Sequence, residues 1–212
     1  MIKNKITKIE KENYEKFLDV VANIIIDYEN EFLENLMNED NVYLAPCKDF
    51  LLSKMLKCPT CNSKIIPKIK KKSTKKYICQ HCFKRNSNIN RGNSINIYLI
   101  ETNILIFVIN IFLNEMFREN ICDEIYMRLK KYENALLELN GEKLNRQVVF
   151  YLLCKFDSVI NIMSDDYKSK LIGSIISEIY IYDEEDQLLN DSILKRVKFK
   201  FPLYKEIINS IY

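Results

Sequence analysis

Cys58, Cys61, Cys79 and Cys82 form two Cys-x-x-Cys pairs separated by 17 residues. A Cys-x-x-Cys turn aims two sulfurs at one point, and two such turns brought together by a hairpin complete a closed tetrahedral four-sulfur site. Thiolate softness and that geometry favour one structural zinc ion over magnesium or calcium, with an iron site or a redox dithiol as the alternatives. A module this small buries little core, so metal binding should supply most of its folding free energy, on the order of 10 kcal/mol or more. His81 is the chain's single histidine, lies between Gln80 and Cys82, and is the one alternative ligand. Cys47, Cys122 and Cys154 pair with nothing in the sequence and read as ordinary core or surface residues.

The same residues argue against an enzyme. A closed four-thiolate site keeps no position for a substrate or an activated water. One histidine, already inside the ribbon, leaves no Ser-His-Asp or Cys-His arrangement. The chain has no Gly-rich phosphate loop and no HExxH. Asp165-Asp166 reads as a helix start and Glu184-Glu185 as a solvated loop.

Charge is strongly segregated. The chain is net +3, yet residues Phe50 to Ile100 hold twelve of its 32 lysines and arginines and none of its 29 acids. Two of the twelve are Lys54 and Lys57. The other ten, Lys64, Lys68, Lys70, Lys71, Lys72, Lys75, Lys76, Lys84, Arg85 and Arg91, are the candidate phosphate contacts. Such a field attracts a polyanion, and duplex DNA is the expected partner. Lysine supplies affinity and salt dependence but little base specificity. A solvated lysine hairpin with no partner is the plain alternative. Tyr77 and Phe83 flank the second cysteine pair, and either packs over the metal site or stacks on a base. The alternating Arg196, Lys198 and Lys200 are a second phosphate surface or a solvated strand face.

These groups need a scaffold. With 212 residues, an apolar fraction of 48%, 3 Gly and 4 Pro, the chain can bury one solid core or two small ones, built from long helices with few tight turns. The most apolar run, Ile104 to Leu113, is about half the length that spans a bilayer and reads as a buried helix. No secretory signature follows Met1, and an odd 7 cysteines point to reduced or metal-bound thiols in a cytoplasm.

Helical spacing covers residues 6–38, through Phe17, Val20, Val21, Ile24 and Ile25. Strands are expected at about Lys64 to Lys70, with Pro67 suited to an edge, and at Lys75 to Cys79. Three helices follow at about 97–119, 121–139 (ended by Gly141) and 144–163. Ser164 is a plausible N-cap. A period of two in "SEIYIYDEEDQ" and "KRVKFKFP" marks an antiparallel pair with Val197, Phe199 and Phe201 facing one way and Arg196, Lys198 and Lys200 the other, and a short helix should follow near Leu203 to Ile211. The expected fold is α+β, mostly helical, with a small zinc β-ribbon inserted and a C-terminal β-hairpin. It divides into an N-terminal helical segment (1–46), the ribbon (47–92), a helical or coiled-coil region (93–163) and a closing helix with hairpin (164–212).

"FLLSKMLKCPTCNSKI" followed by "KKYICQHC" resembles the zinc β-ribbon of large serine recombinases. "IIIDYENEFLENLM" is similar to that family's helix leading toward the ribbon, and "KSKLIGSIISEIYIYDE" with "KRVKFKFP" resembles its closing element. The intervening helices sit where the family carries a coiled-coil excursion. The resemblance covers about Ile24 to Pro202. It implies duplex-DNA binding at attachment-site-like sequences, a zinc cofactor on Cys58, Cys61, Cys79 and Cys82, and helix-mediated pairing with a second copy or a full-length serine recombinase. Two departures stand out: a shorter insert in the second cysteine pair, and no counterpart of the catalytic domain's serine with its arginines. The reading is therefore a non-catalytic accessory or regulator of site-specific recombination. The alternatives are a zinc-ribbon module for protein–protein interaction and a decayed recombinase fragment.

Overall fold

In the computed structural model, the residues described are 7–28, 50–53, 55–70, 74–85, 94–132, 138–139, 142–143, 145–183, 187 and 193–203. The fold is α+β and mostly helical. Helix α1 spans Lys8–Asp27. Thr7 opens it with a capping box: its hydroxyl accepts from Glu10 N, and the Glu10 carboxylate accepts from Thr7 N at 2.8 Å. Its inward stripe is Phe17, Leu18, Val21, Ala22, Ile24 and Ile25, as the spacing predicts. Residues 29–38 of the expected helix lie outside the described residues.

Three strands build the ribbon: β2 (Ile65–Lys70), β3 (Thr74–Cys79) and β4 (Ser94–Asn96), in the order β2-β3-β4. Pro67 sits on β2, an edge strand that need not donate outward on its free side. The short helix α2 (Gln80–Arg85) follows β3 directly. β4 was not expected, and it carries the ribbon sheet past residue 92 to Asn96.

The apolar run forms helix α3 (Ile97–Leu113), and α4 (Glu115–Leu129) follows after one residue. The single helix expected at 97–119 is in fact these two, bent by 75° at Asn114. Asn114 caps α4 by accepting from Phe117 N at 3.0 Å, while the Arg118 guanidinium donates to the last carbonyls of α3, Phe112 and Leu113. Among the described residues, no single helix is long and apolar enough to cross a membrane.

The second expected helix ends early. After Leu129 come a 3-10 turn (Lys130–Tyr132) and an antiparallel pair of β5 (Glu138–Leu139) and β6 (Glu142–Lys143), so residues 138–139 are strand and not the end of a helix; Gly141 lies outside the described residues. The third expected helix is likewise two, α5 (Arg146–Cys154) and α6 (Phe156–Ile162), broken at Lys155. Helix α7 (Asp165–Ile175) starts on the Ser164 cap and runs straight into β7 (Ile176–Ile181). β8 (Leu194–Phe199) pairs with β7 antiparallel, with Val197 and Phe201 buried and Arg196 exposed. The helix expected near 203–211 lies outside the described residues apart from Leu203.

A third strand joins this pair. The two-residue β1 (Leu56–Lys57) runs parallel to β7, opposing Leu56 to Ile179 and Lys57 to Tyr180. The lead-in to the cysteine-bearing ribbon is thus stitched into the closing sheet. A single apolar core links the elements, drawing on α1, α3 to α7, β7, β8 and the ribbon root. At its centre Phe112 stacks on Phe156 with ring centroids 4.1 Å apart, and Phe17 contacts Phe201 at 5.2 Å. Each such fully buried ring contributes roughly 1.5–3 kcal/mol.

Candidate metal centre

Cys58 follows β1 at once, so the β1–β7 pairing fixes where the first sulfur sits. The chain then folds back on itself: Asn62 N donates to Cys58 O and Cys58 N to Ser63 O, both at 2.9 Å. That tight reversal puts Asn62 at φ 55°, a left-handed conformation that asparagine tolerates better than most side chains. Cys79 ends β3, and Cys82 lies one turn on in α2.

The two pairs converge. Sγ of Cys61 lies 3.4 Å from Cys79 and 3.5 Å from Cys82, and Sγ of Cys58 lies 3.7 Å from Cys82. All four sulfurs fall within 4.8 Å of one another. A tetrahedron with metal–sulfur arms of ~2.3 Å has edges of about 3.8 Å, close to these separations. Disulfides need ~2.05 Å, and all four thiols are free. Cys58 and Cys79 are buried, Cys61 and Cys82 half-buried. The four residues can hold one metal ion. His81 is exposed and takes no part in the cluster.

The thiols are electrostatically unequal. Hydrogen bonding from Ser63 pulls Cys61 down, to about 5, whereas burial pushes Cys79 and Cys82 up. Burial also raises Cys122, to about 11, and Cys154. Neither belongs to the cluster, and Cys47 lies outside the described residues.

A buried carboxylate holds both halves of the site. Glu101, on α3 and only 3% exposed, accepts from Leu51 N at 2.9 Å and from the Tyr77 hydroxyl at 2.6 Å. The Tyr77 hydroxyl in turn accepts from Leu52 N at 2.9 Å. The turn before the first cysteine pair and the strand before the second are thereby tied to one side chain. Ser169 of α7 adds a bond to Leu51 O at 3.1 Å. In the sequence Glu101 stands directly after the acid-free stretch. The usable signal was a lone acid at the head of an otherwise apolar helix, which burial would force into hydrogen bonds. Tyr77 is fully buried, so it does not offer its ring to a base; the Phe83 side chain lies outside the described residues.

The cationic residues spread along the ribbon. Lys64 is exposed at its root, where it bridges to Lys57, and Lys68 stands directly opposite Lys76. Lys70 lies opposite Thr74, and Lys75 opposite Ile69. Lys84 and Arg85 close α2. Lys71, Lys72 and Arg91 lie outside the described residues. The pairs nearer the metal are apolar, Ile66 opposite Ile78 and Pro67 opposite Tyr77, so the ribbon has an apolar root and a lysine-rich far half. No known protein family, curated protein or solved structure matches the chain.

Proposed function

We propose that this protein is a zinc-held ribbon protein that binds duplex DNA without catalysing a reaction on it, as an accessory or regulator of site-specific recombination. Four thiolates at tetrahedral spacing suit zinc and exclude magnesium and calcium. A closed four-sulfur shell keeps no position for substrate, so the ion would stabilise the ribbon and leave chemistry to a partner. The observation that carries the reading is the four-sulfur cluster at the root of a ribbon whose far half is rich in lysine. The recombination context rests on the motif resemblance to serine recombinases, with a full-length recombinase or a second copy as the protein partner and a reducing cytoplasm as the setting.

Titration of a random-sequence DNA duplex against salt tests it. Affinity should fall steeply as salt rises, and alanine at Lys70, Lys71 and Lys72 should reduce the slope by up to about 3. Binding indifferent to salt and to those substitutions would overturn it. Incubation with supercoiled plasmid should leave the plasmid intact; nicking by purified protein would overturn the non-enzyme assignment.

One observation favours a second reading, a protein-interaction module. Leu99, Ile106 and Leu113 recur every seven residues along α3 and are 48%, 46% and 47% exposed, an apolar line on the outer side of a core helix. A self-associating protein whose dimer is lost on Ile106→Glu, and which ignores DNA, would support that reading over the first.

A further inference from the structure

A cleft of about 540 Å³ separates the first metal knuckle from the closing hairpin. One wall is Lys57, Cys58, Pro59 and Asn62; the other is Tyr180, Ile181, Tyr182, Lys195 and Arg196. The walls meet along the β1–β7 pairing, where Lys57 opposes Tyr180. Three of the lining residues are cations and none is acidic.

The cations differ in what they have left to give. Lys57 is committed, bonded to Glu178 at 2.8 Å, and Lys198 just outside is bonded to the same carboxylate at 2.7 Å. Lys195 and Arg196 are exposed and make no ion pair with a described carboxylate. Both are nonetheless held in place by aromatic faces. The Arg196 guanidinium lies 4.4 Å from the centroid of Tyr180, and the Lys195 ammonium 5.4 Å from that of Tyr182. A cation resting on a ring keeps its donors outward and has less side-chain freedom to lose when a ligand arrives.

We infer that this cleft takes the phosphate groups of a nucleic-acid strand, with Arg196 and Lys195 as the contacting cations. This rests on the DNA-binding reading above and adds to it a second phosphate surface, reached from the ribbon through Lys64 and Lys57. Planar guanidinium donors suit phosphate oxygens in a bidentate mode, whereas a neutral apolar ligand would find the Tyr180 ring already covered by Arg196 and Lys198. The position also suits a strand. Lys57 bridges directly to Lys64 at the ribbon root, and Lys68 lies four residues further, roughly 13 Å along β2. The cationic track therefore runs from the hairpin, past the knuckle, and onto the ribbon. Of the three strand residues singled out in the sequence, Arg196 lines the cleft, Lys198 is bonded to Glu178, and Lys200 is not part of the lining; Lys195 is the second contacting cation.

Fluorescence anisotropy of a labelled random-sequence duplex, titrated against salt, tests the inference with four proteins: wild type, Lys195→Ala with Arg196→Ala, Arg196→Lys, and the Lys70/Lys71/Lys72 alanine variant. The double variant is expected to lower the slope of log affinity against log salt by about 2, one phosphate for each cation. Arg196→Lys keeps the charge and should keep the wild-type slope, which a merely structural role for the guanidinium would not. A double variant that melts at the wild-type temperature and retains the full slope, while the ribbon variant loses part of it, overturns the cleft and spares the DNA reading. Wild type that shows no salt-dependent binding overturns both. Binding of the mononucleotide dAMP that the double variant abolishes, with duplex binding unmoved, overturns the assignment to a strand.

Discussion

At the residue scale, Asn62 and Tyr77 do different jobs for the same four sulfurs. Asn62 turns the first knuckle at φ 55°. Glycine adopts that conformation freely and β-branched residues resist it, so Asn62→Gly should leave metal affinity near wild type. Asn62→Val should cost the ribbon about 1–2 kcal/mol, read as weaker metal binding in a competition with a chromogenic chelator. Tyr77 donates to Glu101 and accepts from Leu52 N, all in the dry interior. Tyr77→Phe strips a buried carboxylate and a backbone N–H of that partner, and should destabilise the fold by roughly 1–3 kcal/mol in urea unfolding. The cysteine spacing was legible in the sequence because each knuckle is a local turn of four residues. The role of Tyr77 was not, because its partner lies 24 residues away on another element and only packing brings them together.

At the element scale, the closing sheet carries a pH signature. Glu178 accepts from Lys198, Lys57 and Tyr180, one group from each of the three strands, and is held down to about 2. An unfolded glutamate titrates near ~4.3. The stabilisation is therefore complete above that value and is lost as pH falls from it toward about 2. Thermal melting from neutral to strongly acid pH should show that decline for wild type and a shallower one for Glu178→Gln. The alternation in β7 and β8 was readable because one face is buried and the other wet, which writes a period of two into the residues. The pairing of β1 with β7 was not, since two residues carry no period and their partners lie more than a hundred positions away. The break at Asn114 was missed for the opposite reason. Apolar spacing continues through the bend, because α3 and α4 both bury a face in the same core. The signal available was the capping asparagine itself, and Asn114→Ala should cost about 1 kcal/mol in a chemical melt.

At the scale of the whole molecule, metal site and helical core are coupled but unequal. The buried cluster includes Cys58, Ile65, Tyr77 and Cys79 from the ribbon, yet its aromatic centre of Phe17, Phe112, Phe117 and Phe156 lies in α1, α3, α4 and α6. Those helices have their own packed centre, whereas the ribbon buries only its root, and we expect an ion to supply much of its stability. Chelation should therefore melt the ribbon and loosen its lead-in turn, while most of the far-UV helical signal persists. The most direct measurement is native mass spectrometry of protein purified under reducing conditions, paired with hydrogen exchange before and after chelation. The expected result is one metal ion per chain, absent when Cys58, Cys61, Cys79 and Cys82 are all changed to Ser, with the amides of β2 and β3 losing protection once the ion is stripped. A metal-free chain whose β2 and β3 amides stay protected after chelation would contradict the four-sulfur centre.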